Sequence, residues 1–185
     1  MNWDLIALVI FYGLLLLIFL IYRKKFVVQS KIFVLYKTKI GLKLMDRVAK
    51  YCPKFMRFLG YIGVVVGFGG MAFIFYFLVK ETFKFVIKVS PNPPLAPVLP
   101  GVPIAGAPQL HLGFWHWIIA IFLVALVHEF SHGLFARVHK IKVTNSGFAF
   151  LGPILAAFVE PDEEQLKKAG LKKQLTVYAA VPYAN

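Results

Sequence analysis

Cysteine is almost absent. Cys52 stands alone in 185 residues, which excludes an internal disulfide and any thiolate cluster for a metal, and leaves it as an ordinary small apolar side chain. Acidic residues are also scarce: 8 Asp and Glu face 21 Lys and Arg, for a formal net charge of +13. The leading apolar run has Asp4 at its head, no basic residue before it and no small-x-small cleavage site after it. It therefore reads as a retained anchor and not a signal peptide. The glycines at 60, 63, 67, 69 and 70 lack a following Lys-Ser/Thr, which excludes a phosphate loop. Their Gly63-x-x-x-Gly67 pair instead suits close approach of another helix.

What the chain has in quantity is apolar surface. Hydrophobic residues make up 59% and mean hydropathy is +0.74, far above the roughly 45–50% apolar content of soluble domains, so an integral membrane protein is expected. Length and hydropathy place three spans, over 5–22, 61–79 and 114–138. Between the first two lies a basic loop, 23–57, whose eleven Lys and Arg are opposed only by Asp46, which marks it as cytoplasmic and the amino terminus as outside. Because that loop is bracketed by spans, the lipid bilayer and not nucleic acid accounts for the charge.

After the second span, residues 80–113 are rich in proline and read as an external loop. Beyond the third, 144–160 is apolar, broken by Gly152-Pro153, and reads as a strand or re-entrant segment. Residues 161–174 read as a surface helix, with acids in the first turn and Glu163–Lys167 and Glu164–Lys168 pairs, and 175–185 as the start of a further span. The expected fold is thus an all-α polytopic membrane protein with three complete transmembrane helices, the start of a fourth, and a short membrane-associated β or re-entrant segment.

The informative residues lie in the third span: His128-Glu129-Phe130-Ser131-His132. Residues four apart on an α-helix differ by about 40° in direction, so both imidazoles can reach one zinc ion while Glu129 stands beside them as a proton acceptor. Placing them in hydrocarbon costs several kcal/mol, roughly 2.5–3.5 for an acid at a helix centre, unless they bind something or face a polar cavity. At 1.5 Å per residue His128 falls about 21 Å beyond Phe114, nearer the cytoplasmic side of a core about 30 Å thick. His139 follows one face-repeat later, about 10 Å too far along for the same ion, and reads as an interfacial side chain.

His128-Glu129-Phe130-Ser131-His132-Gly133, the stretch from Ala157 to Glu164, and Ala180-Val181-Pro182-Tyr183-Ala184-Asn185 together resemble the site-2 protease family of intramembrane zinc metalloproteases, its archaeal branch in particular. That family has glycine where this chain has Val181. The resemblance implies zinc held by His128, His132 and an aspartate expected beyond Asn185, with Glu129 as general base. It implies that Asn185 helps to hold substrate or the developing oxyanion. It implies cleavage of peptide bonds within transmembrane segments of membrane-protein substrates, by an active site toward the cytoplasmic side of the cell membrane. Two alternatives stay open: a membrane metalloprotease of the CAAX-processing type, and an inactive membrane scaffold that binds transmembrane partners.

Overall fold

Apolar runs too long for strands set the three long helices, and the computed structural model places them at α1 (Trp3–Tyr22), α3 (Pro53–Val86) and α4 (Phe114–Val138). Three short helices accompany them: α2 (Leu42–Tyr51), α5 (Glu163–Lys168) and α6 (Leu171–Tyr178). The strands are β1 (Val27–Gln29), β2 (Phe33–Thr38), β3 (Pro103–Ile104), β4 (Ala107–His111), β5 (Val143–Leu151) and β6 (Ile154–Pro161). The structure describes residues 3–22, 27–29, 33–87, 98, 103–104, 107–151 and 154–180.

The chain divides into two compact units. One takes Met1–Ile21 and Gly69–Ile121, the other Tyr22–Phe68 and Phe122–Asn185. Within the first, the Phe114 amide at the start of α4 donates to Asp4 Oδ1 at 3.1 Å, placing an acid on the unsatisfied amides of the helix end. The Phe11 and Phe114 rings meet edge to face at 5.6 Å.

The second unit is built on an antiparallel sheet of order β1-β2-β5-β6. β2 pairs with β5 through Lys37↔Gly147 and Thr38↔Ser146, and β5 with β6 through Ser146↔Val159 and Asn145↔Glu160. On this sheet rests the carboxyl-terminal end of α4. Phe135, Ala136, Ile141 and Val143 are buried in one cluster with Leu42 and Met45 of α2, Leu166 of α5 and Val177 of α6. α4 stops because Lys140 takes a left-handed conformation, φ 63°, and the Ile141 amide reaches back to Ala136 O at 2.9 Å. This is the closure by which a helix end satisfies its last carbonyls.

Two sequence expectations about the fold are overturned. The protein is not all-α, because a four-stranded sheet carries the second unit. The strand alternative holds for the apolar stretch 144–160, which forms β5 and β6, while β1, β2 and α2 lie within the basic stretch 23–57. Nor are there three complete spans and the start of a fourth. Among the described residues two helices, α3 and α4, are long and apolar enough to cross a membrane, whereas the apolar stretch Ile6–Tyr22 of α1 falls among the shorter ones. The carboxyl-terminal element among the described residues is the short α6, which carries Lys172 and Lys173.

The spans do not resemble core helices of a soluble protein. Only 6% of the apolar stretch of α3 and 22% of that of α4 is buried, and the side chains left outside include Val65, Phe68, Phe73, Phe75, Leu123 and Val124. So much contiguous apolar surface suits lipid and not water.

The β2–β5 pairing contains one point of enforced close approach. Gly147 sits at φ 158°, and a Cβ there would collide with the Tyr36 carbonyl oxygen opposite. Gly147→Ala is expected to push β2 off β5 and destabilise the second unit by about 1–3 kcal/mol, read as a lowered thermal unfolding midpoint in detergent.

Candidate metal centre

The site forms where α4 changes surroundings. Up to Val127 its side chains are largely exposed, with Leu123, Val124, Leu126 and Val127 all open, while Ser131, Leu134, Phe135, Ala136 and Val138 are buried. His128, Glu129 and His132 straddle that change. Their imidazoles meet edge to face with centroids 5.0 Å apart, and two imidazoles on one tetrahedral zinc, at about 2.0–2.1 Å per bond, put their centroids about 5 Å apart. The pair fits a shared ion.

Backbone groups from two other elements fix these side chains. His132 Nδ1 lies 2.8 Å from the Val177 carbonyl oxygen of α6. A carbonyl only accepts, so Nδ1 carries the hydrogen and Nε2 presents its lone pair, the arrangement typical of a metal-bound histidine oriented from behind. Glu129 Oε2 accepts from the Val159 amide of β6 at 3.0 Å, which leaves Oε1 4.0 Å from His128 Nε2. Ser131, between the histidines, turns its hydroxyl back to Val127 O at 2.7 Å and offers nothing to the site.

A cavity of about 510 Å³ opens on this constellation, lined by Glu129, His132, Glu160, Glu163, Lys167 and Tyr178 among others. Glu160 belongs to a polar knot on the sheet: Asn145 Nδ2 donates to its carboxylate at 2.7 Å and Lys37 Nζ at 3.0 Å. The Asn145 amide, then the Lys37 ammonium, hold its carboxyl below the ordinary range against the opposing effect of burial.

His139 is not interfacial. It is buried, with Nε2 2.6 Å from Thr176 Oγ1. Thr176 spends its hydroxyl hydrogen on Lys173 O at 2.8 Å, so the histidine must donate to it. Burial first, then the neighbouring Lys173 and Arg57 cations, lower the pKa of His139.

Sequence reasoning placed His128, Glu129 and His132, and the structure brings all three to one spot. Asn185 lies outside the described residues. Among those residues no group of three His, Cys, Asp or Glu is positioned to hold a metal, so a third ligand to the histidine pair is not found there. What the sequence could not reveal are the Val159 amide and the Val177 carbonyl, because backbone groups carry no residue signature.

An uncharacterized protein of Methanocaldococcus jannaschii is 33% identical to this chain over 161 residues, covering 83% of the chain and 40% of that protein. The chain thus spans well under half the length of the curated relative it matches. No family model and no solved structure matches it.

The buried histidine makes stability depend on pH. With the folded pKa below the unfolded value of about 6.5, the unfolded chain binds the proton more readily. The contribution of His139 is therefore full above about pH 6.5 and is lost as pH falls below it toward the folded pKa. His139→Leu is expected to flatten that part of a melting-temperature profile measured from pH 8 to 5. Thr176→Val, which strands the buried Nε2–H, should cost about 1–3 kcal/mol at pH 8.

Proposed function

We propose that the chain is the core of an intramembrane zinc metalloprotease that hydrolyses peptide bonds within transmembrane segments of membrane-protein substrates. The observation that carries this is the histidine pair at shared-ion spacing, with His132 locked by Val177 so that Nε2 faces outward, beside a carboxylate at the wall of a cavity of about 510 Å³. His128 and His132 would hold the zinc, with an aspartate from beyond Asn185 as the third ligand, since a catalytic zinc normally takes three protein ligands and keeps one open position. When bound, zinc supplies Lewis acidity that makes water a nucleophile near neutral pH and stabilises negative charge on the scissile carbonyl oxygen.

The chain's own residues do the rest. Glu129 takes a proton from the attacking water as the carbon–oxygen bond forms, then delivers it to the amine as the carbon–nitrogen bond breaks, so one water is consumed and no net proton is left on the enzyme. The Val159 amide on Oε2 holds the carboxylate in place and directs Oε1 to this work. A substrate helix hides its carbonyls in its own hydrogen bonds, so it must unwind locally, and β6 is an outer strand of its sheet that can pair with the opened backbone. Asn185 would help to hold substrate or the oxyanion.

The membrane setting supports the same reading. Lys39, Lys43, Arg47 and Lys50 precede α3, Lys54 and Arg57 lie in its first turns, and Arg137, Lys140 and Lys142 follow the spanning part of α4, a distribution that favours a site on the cytoplasmic side of the cell membrane. Transmembrane-helix proteins and lipid are then its partners.

Glu129→Gln tests the assignment, because glutamine keeps an acceptor for the Val159 amide but cannot take a proton. With the natural full-length protein in detergent and a transmembrane reporter substrate, zinc content is expected to hold while cleavage falls about 10²–10⁴-fold. Unchanged turnover in that variant overturns the assignment.

A further inference from the structure

Glu129 and Val159 also border a second, smaller hollow. Its volume is about 100 Å³, and its walls include Leu126 and Phe130 of α4, Met45 of α2, Phe148 of β5, and Ala157 and Phe158 of β6. Two hydroxyls reach it, those of Thr38 and Ser146, but both are committed, Thr38 Oγ1 to Ser146 O and Ser146 Oγ to Ile40 O. The hollow therefore offers a ligand carbon surface and no free polar group except the carboxylate at its edge. A charged or amide side chain entering it would leave its hydration behind with nothing in return.

We infer that this hollow is a subsite that receives one aliphatic side chain of valine or leucine size from the residue flanking the bond presented to Glu129. The size follows from volume. A closed apolar cavity of about 150 Å³ accommodates a benzene ring, so a space of about 100 Å³ matches three or four aliphatic carbons and holds an aromatic ring less well. Position follows from the shared wall: Glu129 and Val159 line both this hollow and the larger cavity beside His132, so a peptide bond presented to Glu129 has the hollow as its neighbour. The Val159 amide on Glu129 Oε2 keeps that wall fixed. The assignment rests on the hydrolase reading of the histidine pair and deepens it, because it makes the choice of bond a matter of Leu126 and Ala157 as well as of helix unwinding.

Two variants change the hollow in opposite senses. Leu126 is 42% exposed, so Leu126→Ala enlarges the space at little cost to the core, while Ala157→Val narrows it by two carbons. The natural full-length protein in lipid nanodiscs is given a mixture of synthetic transmembrane peptides, and the cut bonds are mapped by mass spectrometry. The wild type is expected to cut beside Val, Leu or Ile. Leu126→Ala should raise relative kcat/KM for phenylalanine at that position by at least about tenfold, and Ala157→Val should shift preference to alanine by a similar factor.

A second arm uses a peptide carrying a diazirine analogue of leucine, whose light-driven cross-link to Phe148 or Phe158 reports occupancy whether or not any bond is cut. Cross-linking without cleavage supports the subsite and rejects the hydrolase reading. Cleavage with the same profile in all three proteins, or no cross-link within the hollow, overturns the subsite.

Discussion

The hydrogen bond from the Val159 amide to the Glu129 carboxylate is the constraint around which this structure is arranged. An acid in an otherwise apolar spanning helix costs roughly 2.5–3.5 kcal/mol on the insertion scale, and an outer strand leaves amides without a ladder partner. Joining the two at 3.0 Å satisfies both. The second contact follows the same rule, because Val177 lies in the last turn of α6, where carbonyls lack a partner within the helix, and it accepts from His132. The ionisable side chains of the site are thus held by backbone groups that secondary structure leaves over at its edges.

That arrangement explains why α4 changes character at the site. Amino-terminal to it the helix needs only apolar side chains, and Leu123, Val124, Leu126 and Val127 are exposed. From Ser131 onward the sheet, α2 and α6 surround it, and even Ala136 has no exposed surface. The ionisable side chains sit at the boundary, where one side has enough protein to supply hydrogen bonds and the other is exposed. A site further along would be sealed; one further back would have no amide or carbonyl to orient it.

The legible part of this arrangement was the part written within one element. His128, Glu129 and His132 lie on one helix, so their spacing alone predicts their meeting. The acids and lysines of 163–168 are likewise local, and their pairs form at 3.0 and 3.7 Å. Relations across elements were not legible. β2 lies within the basic stretch before α3 and pairs with β5 more than a hundred residues later, so cations near it disguised a strand as a loop. His139 sits among Arg137, Lys140 and Lys142 and reads as interfacial, yet Thr176 satisfies it 37 residues on. The span count differs because the apolar stretch of α1 that the structure describes, Ile6–Tyr22, is shorter than those of α3 and α4. The apolar hollow draws its walls from α2, α4, β5 and β6, which no single stretch of sequence announces.

Gly133 shows how a local rule was broken for a contact that only the fold reveals. Glycine inside a helix costs about 1 kcal/mol relative to alanine, and a helix that holds His128, Glu129 and His132 at one spot gains nothing from that looseness. A Cβ at this position would lie 2.7 Å from Met45 Sδ and 2.9 Å from Val159 Cγ1. The methionine end can swing aside, but Val159 is β-branched and fixed in a strand, so the added carbon would push on β6 at the residue whose amide holds Glu129. Gly133 therefore sets the separation between α4 and the sheet edge, and the helix gives up propensity so that the carboxylate four residues earlier keeps its partner.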